Sequence, residues 1–581
     1  MGIPSYYRKL VRTCPRLIQE KVTTGVGGKR IQWFYMDYNC LIYHCLYRPG
    51  APVYPGPAGE AEWIRVFLET VMDYTVEIIR QVNPEKGVYL AVDGVVPMAK
   101  MRQQRLRRFT SSWLSERGIG RDGRKAKGGD EKGGDEKGEG VRWNTNAITP
   151  GTAFMDQLHE AMIARIQAEG KTGVWRVSSC REWGEGEHKI LAEWRRGRLH
   201  GQEGPIAIYG LDADLIVLAL LGAEEGPTGV EEVWLFREAM ERGEVQYDLF
   251  GDECFEWFSV GELRRWLVGG LYPCGRSAEE EKAFILHYVL MMSFLGNDFL
   301  PSSLGYKMRD EGHAVLVELL QGQFQAGHRM LGTEAEGWPL RWDGLRMFFQ
   351  ALAREEARRV GEAVAKKRRQ AEYAAPLRGR QGAPVGQAAQ AEHAEKERED
   401  AMREVGHEDW PLSQQEERVL EERGRLAPDW QRRYLVHFFP GLPDHPTSRA
   451  MLCRQYLYGI QWVWAYYLGK IEDVCFEWYY PFPLPPLWEW LSSSACKGLP
   501  PFTGTVQVRG SDLQPVEQLA LVLPLNSWHL LPSCPQRALP YRAPHLFPTE
   551  FSFHSVGKRF FWECEAMIPM PTVRAVKAWC S

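Results

Sequence analysis

Three short apolar runs, each closed by an aspartate, constrain this chain more than any other feature. Residues 31–36 (IQWFYM) lead into Asp37, residues 87–92 (GVYLAV) into Asp93 and residues 205–211 (PIAIYGL) into Asp212. Each run is rich in β-branched or aromatic residues, and an amphipathic stretch of helical period follows it. Strands alternating with helices in this way predict an α/β fold with a mostly parallel sheet flanked by helices. In open sheets of that class, ligands gather beyond the carboxyl ends of the strands, which is where all three aspartates fall.

The remaining chain predicts more than one lobe, because 581 residues exceed what a single small core organises. Residues 118–140, with their tandem GGDEK repeat, are too glycine-rich and polar to pack and are expected to be a disordered surface insertion. Residues 355–404 mix basic, acidic and alanine-rich stretches, including KKRRQ at Lys366, and are expected to be a charged connector, either helical or disordered. That divides the chain into a first lobe over 1–354 and a second over 405–581, where WVWAYY and FEWYYPFPLPPLW indicate a substantial aromatic core. The net charge of −4 rules out a polycation, so any surface for nucleic acid must arise from local segregation of charge. None of the 12 cysteines shows a CxxC spacing, which argues against a zinc site and for reduced thiols. The opening MGIPSYYRKL lacks the apolar core of a signal peptide, Tyr6 occupies the position where myristoylation requires Ser or Thr, and the apolar run 215–221 is too short to span a bilayer. A soluble intracellular protein without a membrane partner is the expectation, with cytoplasm and nucleus both open.

Beyond the strand ends, GEGEHK supplies Glu185 and Glu187, LDADL supplies Asp212 and Asp214, and LGNDFLP supplies Asp298. An aspartate after a strand is more often a turn residue or helix cap than a ligand, and paired acids are common on surfaces. These segments in combination, together with Asp37 and Asp93, point to one site. Seven anions sharing a pocket would repel one another unless cations lay among them. Hard divalent ions suit oxygen ligands, and two of them roughly 4 Å apart can hold both the attacking and the leaving oxygen in phosphodiester hydrolysis. Close behind Asp93, PMAKMRQQRLRRF predicts a helix on which Lys100, Gln104, Arg107 and Arg108 share one face, at i, i+4, i+7 and i+8. That face can receive a terminal phosphate, or it can merely offset the acidic site or meet water. Arg102 and Arg105 lie off it and are expected to contact solvent or backbone.

The opening MGIPSYYRKL, then FYMDYN, AVDGVVPMAKMRQQRLRRF, NAITPGTAFM, GEGEHKI, YGLDADLIVLAL and FLGNDFLP, followed by YGIQWVWAYYLGKI, WYYPF, PVEQLALVLP and VGKRFFWECEAMIP, together resemble the XRN family of 5′→3′ exoribonucleases. The resemblance implies a catalytic lobe like those of PIN and flap nucleases, completed by the second lobe. It places Asp37, Asp93, Glu185, Glu187, Asp212, Asp214 and Asp298 on the family's metal-site carboxylates, with two Mg2+ ions as cofactor and Mn2+ able to substitute. It places the 5′-monophosphate pocket on Lys100, Gln104, Arg107 and Arg108. The implied reaction is processive degradation of single-stranded RNA to nucleoside 5′-monophosphates. The sequence departs from the family at two points. A base-stacking histidine expected six residues after Asp37 is replaced by Tyr43, with His44 beside it, and FEWYYPFPLPP leaves Phe476 or Trp478 as stacking candidates that core packing explains equally well. The long carboxy-terminal extensions of the family's cytoplasmic branch are missing, so a minimal catalytic core is expected. Two other readings remain: a flap-type DNA nuclease, which shares the acidic site but lacks the second region, and an inactive RNA-binding scaffold, against which the full set of carboxylates stands.

Overall fold

A computed structural model describes residues 3, 5–19, 30–117, 143–201, 204–210, 212–225, 232–241, 244–248, 251–269, 277–378, 417–493, 513–532, 535–558 and 561–580. The apolar runs form strands: β1 (Ile18–Gln19), β2 (Trp33–Asp37), β3 (Gly87–Ala91), β4 (Trp175–Ser178), β5 (Ile206–Tyr209), β6 (Val233–Glu238), a small hairpin of β7 (Met240–Glu241) with β8 (Glu244–Val245), and β9 (Phe255–Ser259). Between and after them come α1 (Tyr6–Thr13), α2 (Tyr38–Tyr47), α3 (Glu60–Val82), α4 (Met98–Glu116), α5 (Ala153–Ala168), α6 (Gly186–Leu199), α7 (Asp214–Glu224), α8 (Val260–Gly269), α9 (Ala278–Met292), α10 (Gly312–Gln325) and α11 (Trp342–Arg378). Seven strands make one sheet in the order β1-β9-β6-β5-β2-β3-β4. The run from β6 to β4 is parallel, and β9 and β1 close one edge antiparallel. Asp37 pairs with Ala91 and Met36 with Tyr209, so β2, β3 and β5 end level with one another.

Side chains alternate across a strand, and both faces of this sheet are covered. Tyr35, Tyr89, Ile206, Ile208 and Leu235 point to one face, where α6, α7 and α9 pack. Phe34, Met36, Leu90, Ala207 and Phe236 point to the other, beneath α2, α3 and α5. The first face continues without a break into the aromatic second half. Trp462 and Tyr466 of the helix Pro446–Tyr467 are buried against Phe299, with ring centroids 5.1 and 5.6 Å away. At roughly 150–250 Å² of buried surface for each such ring, this half is a core and not an appendage.

Residue 355, where the sequence suggested a connector beginning, lies inside one continuous helix, α11. Its buried Leu345, Phe348, Phe349, Leu352, Val360 and Val364 recur at helical spacing under the charged surface, which is how a segment of such composition packs. Buried Glu356 on the same stripe accepts the backbone N–H groups of Trp488 and Glu489, at 2.9 and 3.1 Å, and so caps the short helix Trp488–Ser492. The rest of the expected connector, 379–404, and the insertion 118–140 lie outside the described residues. No helix among the described residues is long and apolar enough to cross a membrane.

The loop leaving β3 is locked to the loop before α6 by two backbone hydrogen bonds, Gly94 N–H to the Gly184 carbonyl (2.9 Å) and Gly184 N–H to the Val95 carbonyl (2.8 Å). A Cβ on Gly94 would lie 1.7 Å from the Glu182 carbonyl oxygen, so only glycine permits this approach. Gly94→Ala is expected to lower stability by about 1–3 kcal/mol in urea unfolding. An unchanged midpoint would show that the two loops need not meet this closely.

Candidate active site at the carboxyl end of the sheet

The level strand ends bring the acidic segments together. Asp37 closes β2, Asp93 follows β3 by two residues, and Asp212 and Asp214 bracket the turn from β5 into α7. Glu185 and Glu187 flank the first residue of α6, and Asp298 lies in the loop after α9. Gly186, between the two glutamates, explains the GEG spacing: a Cβ there would come within 2.6 Å of Asp37 Oδ1. Its N–H donates to Asp93 Oδ1 at 2.7 Å, and the side-chain oxygen of Asn39 accepts from the Asp93 N–H at 3.1 Å. The amino end of α6 thus faces the carboxylates with its positive pole.

Lys100 reaches into this cluster from α4. Its Nζ lies 2.5 Å from Glu185 and 2.8 Å from Asp298, and the three side chains are only 13, 3 and 6% exposed. The sequence placed Lys100 on a phosphate-facing helix surface; here its ammonium is a counter-ion inside the acidic site. Burial alone would lower Lys100, but Asp298, Glu185 and Glu187 outweigh it and hold the ammonium charged. Burial would likewise raise Asp298, and Lys100 reverses this, keeping the carboxyl well below the usual range. Among the described residues, this one ammonium does not satisfy the remaining acids. Burial, reinforced by Asp93 and Asp212, pushes Asp37 well above the ordinary carboxylate range, and burial with Asp298 raises Asp214 to about 7. Glu187 is raised by burial, with Glu185, Asp214 and Asp37 prevailing over Lys100. Asp214 Oδ1 is buried with no hydrogen-bond partner. Oxygen donors that exceed the positive charge among the described residues fit hard divalent cations.

Two neighbours went unread in the sequence. Tyr466, within the aromatic run taken as core, donates its hydroxyl proton to Glu185 at 2.8 Å. Its ring also lies 3.8 Å from that of His188, which shares with Glu185 and Glu187 a group of ligand atoms within 4.8 Å of one another. Only the position of this histidine directly after Glu187 could have signalled it.

The other residues of the basic helix divide. Gln104 Oε1 and Arg108 Nη1 are buried without partners, while Arg107 is exposed. Burial lowers Arg108 to about 10, offset in part by its electrostatic interaction with Tyr43. Arg102, expected to meet solvent or backbone, pairs with the Glu565 carboxylate at 3.2 Å. Arg105 does take the backbone, donating to the carbonyls of Leu521, Leu546 and Pro569. Trp478 is 9% exposed, its ring against Trp462 at 5.3 Å and edge-on to Tyr458, and Phe476 packs on Trp183 at 4.7 Å.

An α/β sheet with a buried carboxylate cluster at its carboxyl end, gripped by a basic helix, defines a class of acidic site able to hold metal ions. The chain belongs to the XRN family: residues 1–228 match the profile described as "XRN 5'-3' exonuclease N-terminus" and residues 280–576 the one described as "Xrn1 helical domain". It is 24% identical over 696 aligned residues to a protein of Arabidopsis thaliana named "5'-3' exoribonuclease 2", covering 98% of this chain and 66% of that one. Proteins of the same name from Emericella nidulans and Debaryomyces hansenii are 29% identical over 432 residues and 32% over 356. Those alignments cover 64% and 55% of this chain but 40% and 35% of the relatives, so the chain spans well under half the length of either.

The ion triad yields a direct test. In divalent-free buffer Lys100→Met should lower stability by roughly 3–5 kcal/mol, because Glu185 and Asp298 lose their buried counter-charge. Added Mg2+ should restore part of the loss in thermal unfolding. Equal stability of variant and parent would remove Lys100 from the charge balance.

Proposed function

We propose that this chain is a 5′→3′ exoribonuclease that takes single-stranded RNA with a 5′-monophosphate and releases nucleoside 5′-monophosphates one at a time. The observation that carries this reading is the junction of two features. A buried, under-neutralised carboxylate cluster adjoins a helix whose Gln104 and Arg108 keep buried polar atoms unpartnered. Asp37, Asp93, Glu185, Glu187, Asp212, Asp214 and Asp298 would hold two Mg2+ ions, with Mn2+ able to substitute. Bound there, divalent cations supply an acidified water and neutralise charge on the scissile phosphate.

The chain's own residues do the rest. Arg107 and Arg108 present guanidinium forks to the terminal phosphate, and Gln104 adds a neutral hydrogen bond. Lys100, whose ammonium stays charged, contributes positive charge where this phosphate pocket borders the acids. We assign the stacking role to Tyr43, which is half-buried, in preference to the enclosed Trp478. Stacking accepts any base, so little sequence preference follows. A pocket fitted to one phosphate gives direction, because a cap or triphosphate is too bulky and a 5′-hydroxyl leaves the guanidinium groups unpaired. The match of residues 280–576 to the helical region favours this reading over a flap-type DNA nuclease. The presence of all seven carboxylates favours it over an inactive scaffold.

RNAs differing only at the 5′ end should be degraded at different rates, with 5′-monophosphate favoured over 5′-hydroxyl by roughly 10–100-fold, the worth of one or two charged hydrogen bonds. Arg108→Ala should erase most of that difference while slow cleavage persists. Equal rates on all ends would remove the pocket from the account. Asp212→Ala/Asp214→Ala should abolish mononucleotide release with the circular dichroism unchanged, and residual full activity would refute the acidic site.

A further inference from the structure

A second group of potential ligands lies at the same end of the sheet and shares no residue with the carboxylate cluster. His44 on α2, Glu238 at the end of β6 and Glu253 before β9 have ligand atoms within 4.8 Å of one another. Their side chains are 6, 1 and 2% exposed. His44 Nε2 lies 3.1 and 3.2 Å from the two oxygens of Glu253 and 4.0 Å from Glu238 Oε1. Ligands around one ion at metal–ligand distances near 2.1 Å stand roughly 3–4 Å apart, so these separations suit a shared cation.

The surrounding donors orient the group without completing it. Arg48 Nε pairs with Glu253 Oε1 at 3.1 Å, and Tyr209 donates to Glu238 Oε1 at 2.6 Å. The Tyr74 hydroxyl lies 2.7 Å from both Glu238 Oε1 and Glu253 Oε2, yet has one proton to give. Glu238 Oε2 is buried and receives nothing. Two buried carboxylates thus share one guanidinium and one imidazole. Protein donors commonly orient ligating carboxylates in this way.

We propose that His44, Glu238 and Glu253 form a second divalent-metal site that takes one borderline cation such as Zn2+, Mn2+ or Co2+ through His44 Nε2 and an oxygen of each glutamate. The nitrogen ligand selects against Mg2+, which prefers an all-oxygen shell. The ion ties α2 to the β6–β9 edge and so fixes the helix that carries Tyr43.

Co2+ titration of the whole chain in excess Mg2+, followed by visible absorption and metal analysis, tests this. One Co2+ per chain should be retained and should raise the thermal midpoint. His44→Ala and Glu238→Gln should weaken it by about 10–100-fold, the range seen when support of a metal site is lost, whereas His188→Ala, beside the other cluster, should not. Failure to retain Co2+ over Mg2+, or equal retention in the His44 and Glu238 variants, overturns the proposal. If His44→Ala fails to fold, the isosteric Glu238→Gln decides alone. An imidazolium nitrogen spectrum for His44 that Co2+ leaves unchanged would show instead that a proton closes the network.

Discussion

The site depends on a lysine held where lysines rarely go. Bringing the Lys100 ammonium out of water beside Glu185 and Asp298 carries a desolvation cost of several kcal/mol per ion, offset only if the geometry is fixed. That geometry rests on α4, and α4 is held less by its own lobe than by the far end of the chain. Arg105 is buried and hydrogen-bonds three carbonyls between Leu521 and Pro569. Met98 N–H donates to the Phe476 carbonyl at 2.8 Å, and Val96 N–H to Gln518 Oε1 at 2.9 Å. Val96, Met98 and Met101 pack with Leu519 and Leu521 in one apolar cluster. Carboxylates from the first half therefore find their counter-charge only because the second half positions the helix that carries it.

This arrangement accounts for what was legible beforehand. Strand ends announce themselves locally: β-branched and aromatic runs, a stop, an aspartate. Parallel pairing then brings the ends level, so Asp37, Asp93 and Asp212 converge through topology that short-range patterns already imply. The helical spacing of Lys100, Gln104, Arg107 and Arg108 was equally readable. Spacing tells which residues share a face, but not what that face meets. Lys100 enters the acids 198 residues away at Asp298, and Arg102 meets Glu565 at a separation of 463. Contacts of that range leave no local trace. The same holds for α11, whose charged surface hides an apolar stripe that only the helix Trp488–Ser492 and its neighbours make meaningful.

Aromatic residues show the ambiguity from the other side. Composition marks WVWAYY and FEWYYPF as a core, and Trp462, Trp478 and Phe476 are buried in it. Tyr466 is buried there too, yet its hydroxyl reaches Glu185, so one residue serves packing and site at once. A tyrosine combines a large apolar ring with a polar tip, and a run of them cannot reveal which tip finds a carboxylate.

Tyr43 and His44 complete the point. Neighbours on a helix point about 100° apart, so a histidine moved by one residue cannot serve the same pocket. Tyr43 interacts electrostatically with Arg108, while His44 stacks on Tyr74 at 5.0 Å and turns to Glu253. The imidazole of His44 thus joins a polar network with Tyr74 and Glu253 instead of the side of the helix that carries Tyr43. Both environments hang from one ten-residue helix that begins at the residue after Asp37. Whatever fixes His44 therefore also sets the orientation of Tyr43 relative to the acids, through the rigidity of α2 alone.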